Sequence, residues 1–137
     1  MDAVRLVESM RHALKGARGE QELLAEAWEA QALAEAVVGR LLPDEMRPTG
    51  PPGTGRAAPR RAAMLTGVRE PATALRDLRD LLSELGVVLV SAACSVEDES
   101  LYWQCIEALD AAADSRDHVC ALLRDATAGG DRQRSGT

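Results

Sequence analysis

Two pairs of carboxylates have a spacing that could support metal-dependent chemistry. Glu26 and Glu29 are three residues apart in one helical pattern, and Glu107 and Asp110 are three apart in another. Residues at this spacing lie on the same side of a helix, and paired carboxylates supply the oxygen ligands that Mg²⁺ prefers. Both pairs fall largely outside the apolar stripes of their helices, where carboxylates are usually solvated. The pattern therefore fits either a Mg²⁺ site or two acidic surfaces, and the second is favoured.

The metal interpretation has a counterpart in a known enzyme family. The two pairs resemble those of the all-α nucleoside triphosphate pyrophosphatases, whose helices hold Mg²⁺ between such carboxylates. This resemblance implies a Mg²⁺-dependent all-α phosphohydrolase that uses Glu26/Glu29 and Glu107/Asp110. The pairs are more widely separated along this chain than in that family. The phosphohydrolase therefore stands as the alternative function.

A glycine-rich segment, Gly50-Pro-Pro-Gly-Thr-Gly-Arg56, resembles the phosphate loop of AAA-type ATPases. That loop follows a strand and ends in a Lys and a Ser or Thr, which contact the phosphates and Mg²⁺. Here Arg56 and Ala57 occupy those positions, and Pro43 to Thr49 has no strand character. The segment is interpreted as a linker. No cofactor is expected.

The histidines and cysteines lack the spacing of a metal or catalytic site. His12 and His118 have no partner at ligand spacing, so no metal ligand and no catalytic residue is predicted. Cys94, Cys105 and Cys120 are odd in number and lie in apolar helical patterns, so they are predicted to be small buried hydrophobes without disulfides. A ligand pocket lined by Trp28 and the cysteines is a further class of function, and it requires a real cavity.

Trp103 is the most informative residue, because it lies on the acidic side of its helix. On a helical wheel Trp103 falls among Glu99, Glu107 and Asp110. Either the terminal helix or the Pro-rich loop covers this indole, or it is an aromatic anchor for an Arg-bearing protein or for a second copy of the chain. These four residues are the candidate partner contact.

The helix that organises the fold is predicted over residues 71–94. Pro71 suits a first helical position, because its missing N–H would have no partner there. The segment from Gly86 to Val90 could also form a buried strand, but no other stretch could pair with it. We therefore predict that this part of the helix enters the interior. The apolar residues of the helix recur at helical spacing: Leu75, Leu78, Leu82, Leu85, Leu89 and Ala92.

The remaining elements are also helical, which predicts an all-α fold: a single antiparallel bundle of four to five helices with a Pro/Gly-rich loop between two hairpins. Residues 1–128 are expected to form one domain that contains the flexible loop 43–61, and residues 129–137 a disordered tail. Before the loop we expect a helix that is capped by Asp2 and ends at Gly16, and a second helix from Glu20 to Leu42. After the loop we expect a helical turn from Ala62 to Thr66 and then the helix over residues 71–94. The last two expected helices are one that is capped by Ser95 and ends near Ala113, and one that is capped by Asp114 or Ser115.

Composition limits the classes of partner. The 137 residues carry 22 acidic and 16 basic side chains, a net charge of −6. This balance argues against nucleic acid as a partner, since binding phosphates requires a concentrated positive surface. No apolar run approaches the length of a membrane span, and the N-terminus lacks a signal-peptide pattern. The sequence therefore predicts a cytoplasmic protein without a membrane or nucleic-acid partner.

Three segments carry a family resemblance: MDAVRLVESMRHAL at the start, AEAWEAQALAEAVV at 25–38 and DESLYWQC at 98–105. They resemble an uncharacterised family of small helical proteins from streptomycete-type actinobacteria. The resemblance implies a cytoplasmic actinobacterial protein and transfers no activity, cofactor or catalytic residue. We interpret the chain as a helical protein that acts through protein–protein interaction, as an adaptor or small regulatory partner, and as an enzyme only in the phosphohydrolase alternative.

Overall fold

A computed structural model describes residues 2–42 and 60–135, with the side chains of 2–42 and 62–125. Helices account for nearly all of these residues, and no strand occurs among them. The long helices pack around one apolar core, which confirms the predicted all-α bundle. The described ranges contain five helices: α1 (Ala3–Gly16), α2 (Gly19–Leu41), α3 (Arg60–Ala63), α4 (Pro71–Ser95) and α5 (Glu99–Ser135).

Helix α4 is the predicted core helix, and it begins with Pro71 in the first turn. The segment that could have been a strand, Gly86 to Val90, is helical. Burying each leucine of the inner face contributes about 1.5–3 kcal/mol relative to leaving it in water. The leucines that are fully or almost fully buried are Leu75, Leu78, Leu81, Leu82, Leu85 and Leu89.

The prediction that the second half of α4 enters the interior is wrong. Val87 is 71% exposed, and Val88 and Val90 are also exposed. The residues after Glu84 are apolar on both sides of the helix, but α1, α2 and α5 cover only the side that carries Leu85 and Leu89. The opposite side of α4 is therefore an apolar surface.

Helices α1 and α2 form the first hairpin. Asp2 caps α1, as predicted, since its Oδ2 accepts a hydrogen bond of 3.2 Å from the Val4 N–H. Two residues separate the helices, and Gly19 begins α2 with a positive φ of 81°, which glycine adopts without steric cost. So short a connection makes the pair antiparallel. The side of α2 that faces the core is buried at Leu23, Ala27, Ala30, Ala34 and Val37.

Most of the predicted loop 43–61, namely residues 43–59, lies outside the described residues. The helical turn expected over Ala62–Thr66 forms two residues earlier, as α3. The segment that follows α3 is hydrogen-bonded to the end of α2 and to the residue that caps α1. The Arg40 guanidinium donates to the Leu65 carbonyl at 2.9 Å and to the Thr66 carbonyl at 3.2 Å, and the Arg69 N–H donates to Asp2 Oδ1 at 3.1 Å.

The cap predicted for the helix after α4 is wrong. Ser95 is the last residue of α4, and its hydroxyl donates to the Ser91 carbonyl at 2.9 Å. Asp98 takes the capping role instead, because its Oδ1 accepts from the Ser100 N–H at 2.8 Å. The Asp98 carboxylate, three residues further along the chain, thus caps the helix in place of the Ser95 hydroxyl.

The break predicted near Asp114 or Ser115 is also wrong, because α5 is one helix from Glu99 to Ser135. Ser115 is fully buried, so its side chain serves a contact between helices and not a cap. The helix includes most of the segment expected to be a tail. The division into domain 1–128 and tail 129–137 stays a prediction.

Candidate functional site

Among the described residues, all the exposed large hydrophobic side chains except Met64 lie on the α4–α5 hairpin. Only residues 96–98 separate the two helices, so they run antiparallel, and their inner faces supply much of the core. Their outer faces lie side by side. We define the outer hairpin face as the exposed or partly exposed surface of Gly86, Val87, Val90, Tyr102, Trp103, Ile106, Leu109 and Ala113.

An open groove of about 380 Å³ follows the seam between the two helices. Gly86 lines the groove, and a Cβ built there would be 3.7 Å from the Leu109 Cδ1 atom, an ordinary van der Waals distance. Val87 and Val90 line the α4 side, and Arg116 lies at the end away from the hairpin turn. The groove is thus apolar along most of its length with one cation at its end.

An aromatic pair lies at the hairpin end of this face. The Tyr102 and Trp103 rings meet edge to face, with centroids 5.2 Å apart and planes inclined at 78°. Such geometry contributes about 0.5–1.5 kcal/mol beyond burial and restricts both side chains. Trp103 remains 59% exposed, so the continuous helix α5 leaves its indole uncovered. The Pro-rich loop, the other expected cover, lies largely outside the described residues.

The structure places the predicted acidic neighbours of Trp103 at the surface. Glu99, Glu107 and Asp110 are all exposed on α5. They are one or two turns from Trp103 on the same side of the helix. The four residues of the candidate partner contact therefore form one continuous patch, beside the outer hairpin face and overlapping it at Trp103.

The four carboxylates of the phosphohydrolase alternative do not converge. Glu26 and Glu29 are half-buried on α2, whereas Glu107 and Asp110 are exposed on α5. Within the residues whose side chains are described, no group of three or more His, Cys, Asp or Glu residues could hold a metal ion. The ATPase-like segment Gly50 to Arg56 falls outside the described residues. The arrangement that the alternative requires is thus not found.

Sequence reasoning missed a polar cluster between α2 and α5. The Ser115 hydroxyl donates to Glu35 Oε1 at 2.8 Å, and His118 Nδ1 lies 3.0 Å from the same oxygen. A serine nucleophile needs an imidazole as its base, but here the carboxylate lies between the two groups. The cluster is therefore a structural link. Its one signal in the sequence is a serine on the apolar stripe between Ala112 and Val119.

The cysteines are all free, but they differ in burial. Cys105 is buried as predicted, and burial raises the pKa of its thiol, with a further contribution from the negative charge of Glu20. Cys120 is partly buried. Cys94 is exposed, so its predicted burial is wrong. Cys94 lies near the end of α4, on the same side of the helix as the exposed Val87 and Val90.

Of the two grooves found among the described residues, neither is lined by Trp28 or by a cysteine. Trp28 is half-buried against the core. The groove along the hairpin has other walls, and a second open groove of about 510 Å³ is lined by Arg40, Leu41, Gly67 and Val68. Neither groove has the enclosed apolar walls that are typical of a small-molecule site.

Comparison with known protein families finds a match over most of the chain. The sequence model of a protein family matches residues 1–53 and 45–125, and that family is described as a family of unknown function (DUF6099). No curated protein matches the chain. No solved structure matches it either. Among the helices that the structure describes, none has both the length and the apolar character needed to cross a bilayer.

Proposed function

Because the chain belongs to the DUF6099 family, whose function is unknown, we propose a function from its surface: it binds a protein through the outer hairpin face. Its role is that of an adaptor or small regulatory partner. The cytoplasm and an actinobacterial cell are the setting that we propose for it, in line with its sequence resemblance.

The observation that carries this proposal is the exposed indole of Trp103, which packs edge to face with the ring of Tyr102. Trp and Tyr are the residue types that contribute most to binding at protein interfaces. A restrained side chain also loses little conformational entropy when a partner covers it. Val87 and Val90 extend the same surface along the groove.

The charges beside Trp103 indicate the chemistry of the partner. Glu99, Glu107 and Asp110 form an acidic border on one side of the indole. A guanidinium placed over the indole would gain a cation–π contact and could pair with these carboxylates. We therefore propose an Arg-bearing protein surface as the partner. The phosphohydrolase alternative has no supporting observation in the described residues.

The proposal is tested by affinity capture from native extract together with light scattering of the pure protein. Trp103→Ala is compared with Gln104→Ala, which alters an exposed neighbour outside the aromatic pair. We expect Trp103→Ala to lose a bound protein or to change the oligomeric state, and Gln104→Ala to behave as the wild type. If Trp103→Ala leaves both the captured proteins and the molar mass unchanged, the proposal is wrong.

A further inference from the structure

We infer that the partner binds the outer hairpin face with an amphipathic α-helix. The apolar side chains of this helix fill the groove, and its arginines or lysines lie along the edge that runs beside α5. This inference rests on the proposed function and names the structural form of the partner at the same surface. Three features carry it: the shape of the groove, the acidic border on α5 and the paired charges on α4.

The groove has the shape and the length of a site for one helix. It follows the seam between two antiparallel helices and is apolar along most of its length. Tyr102 and Ala113, which lie near the two ends of the face on α5, are eleven residues apart, or about 16 Å along the helix axis. A helix of about twelve residues therefore covers the face with apolar side chains at positions i, i+3 or i+4, and i+7.

A helix fits this site better than an extended peptide does. An extended peptide gains its main-chain hydrogen bonds by adding to the edge of a sheet, and no strand occurs among the described residues. A helix satisfies its own backbone groups and needs only an apolar groove for its apolar side. The groove between α4 and α5 provides that surface.

The border of the groove on α5 is acidic. Asp110, Asp114 and Asp117 each directly follow a residue that lines the groove, so they lie along its outer rim. From residue 99 to residue 125, α5 carries two arginines, Arg116 and Arg124, against six carboxylates. All six are exposed: Glu99, Glu107, Asp110, Asp114, Asp117 and Asp125.

Trp103 lies in the same row as these rim carboxylates. It is four residues after Glu99 and seven before Asp110, so all three are on one side of α5. A cation on the partner helix beside Glu99 can lie over the indole, and a second cation about two turns along can pair with Asp110. The partner helix is therefore expected to carry basic residues seven or eight positions apart.

The carboxylates at the border on α4 already have cations of this chain beside them. Asp80 pairs with Arg79 at 3.3 Å, and the Arg11 guanidinium on α1 lies 4.0 Å from both Asp80 and Glu84. Arg76 is a further exposed cation on α4. The two borders of the groove thus differ in charge. Basic side chains are expected along only one edge of the partner helix.

A second copy of the chain is not the occupant that these charges favour. In a closed dimer both copies use the same surface patch. Such a contact would bring the acidic rim of one α5 close to the acidic rim of the other, and like charges at close range oppose association. The charges therefore favour a different protein that carries a basic helix.

Peptide display tests the inference without assuming a partner sequence. Random peptides of about 16 residues are selected on the wild-type protein, and those that also bind Trp103→Ala or Val87→Asp are removed. We expect the enriched peptides to share apolar residues at helical spacing, with basic residues along one edge. Circular dichroism should show that they become helical when the protein is added.

Charge exchange then tests the acidic rim with one enriched peptide. Asp110→Arg should raise the dissociation constant of the peptide about fivefold or more, whereas Glu8→Arg on the exposed side of α1 should not. Replacing one basic residue of the peptide by Glu should weaken its binding to the wild type and restore binding to Asp110→Arg. This recovery also shows that the variant is folded.

Several results would overturn the inference: no enriched peptide, enriched peptides without helical spacing or basic residues, or binding that Asp110→Arg does not weaken. A wild type that forms a dimer through this face would also overturn it. In each case, a protein that the wild type captures and Trp103→Ala loses would leave the proposed function standing with a partner of another form. If Trp103→Ala altered neither capture nor molar mass, the proposed function would fail as well.

Discussion

The Ser115 hydroxyl on α5 donates a 2.8 Å hydrogen bond to Glu35 Oε1 on α2, across 80 positions of the sequence. Ser115 is fully buried, and Glu35 is the partner that satisfies its hydroxyl. The contact fixes the register of α5 on α2. The Ser115 hydroxyl bonds to α2 and does not cap a new helix, and α5 continues through this residue.

We predict a measurable coupling between these two residues. Ser115→Ala should lower the free energy of unfolding by about 1 kcal/mol, because a hydrogen bond to a charged group is lost while Glu35 keeps partial access to water. Urea denaturation of Ser115→Ala, Glu35→Ala and the double variant gives the coupling energy, expected at about 0.5–1.5 kcal/mol. Additive effects of the two substitutions would show that the contact contributes nothing.

The two sides of α4 should respond differently to truncation. Leu85→Ala removes a fully buried side chain and should cost about 2–5 kcal/mol of unfolding free energy, because a cavity remains. Val87→Ala, two residues further on the uncovered side, should change it by no more than about 0.5 kcal/mol in the monomer. Chemical denaturation at low protein concentration measures both. Equal losses would mean that Val87 is buried as deeply as Leu85.

The three thiols should react at clearly different rates. Cys94 is exposed, Cys120 is partly buried and Cys105 is buried, with the pKa of its thiol raised by that burial. Because the thiolate is the reactive form, we expect Cys94 to react first and Cys105 last with a disulfide reagent at neutral pH. Rates are read from single-cysteine variants. A Cys105 that reacts as fast in the native protein as in urea would contradict its placement.

Asp2 should add to the pH dependence of stability. The Arg69 N–H is the main group that lowers the pKa of this carboxyl below 3.8; partial desolvation opposes it, and the Val4 N–H supports it. Since the folded pKa is the lower one, its stabilisation is present above the unfolded value and is lost as pH falls through the folded value.

Asp2→Asn keeps a capping side chain and removes the charge, so it isolates this effect. The melting temperature of the wild type should exceed that of Asp2→Asn near neutral pH, and the difference should shrink between about pH 5 and about pH 2. Thermal melts across this range measure it. A difference that does not depend on pH would show that the ionised carboxylate is not preferentially stabilised.

Periodicity was sufficient to predict the fold class, the core side of α4 and the first hairpin. It failed where a residue type has two uses. Ser95 and Ser115 looked like caps, but one bonds within its own helix and the other bonds between helices. Asp98, which does cap α5, was indistinguishable in sequence from its acidic neighbours. The choice among such residues depends on packing that no local pattern contains.

The aromatic and acidic part of the candidate surface was visible in the sequence, because Trp103 falls on a polar helix face. The apolar part was not. Val87 and Val90 looked like core residues, since a helix that is apolar all round is usually buried. Among the described residues, the helices that pack against the end of α4 cover only one of its sides. Which sides of α4 other helices cover depends on the tertiary structure, and the local sequence pattern does not contain this information.

Site-specific photocrosslinking tests most directly whether the outer hairpin face contacts protein in the cell. A benzophenone amino acid replaces Val87, whose side chain is 71% exposed, and Glu8 on the exposed side of α1 is the control position. We predict a protein adduct from position 87 and none from position 8. Absence of any adduct from position 87, or equal adducts from both positions, would contradict the central claim.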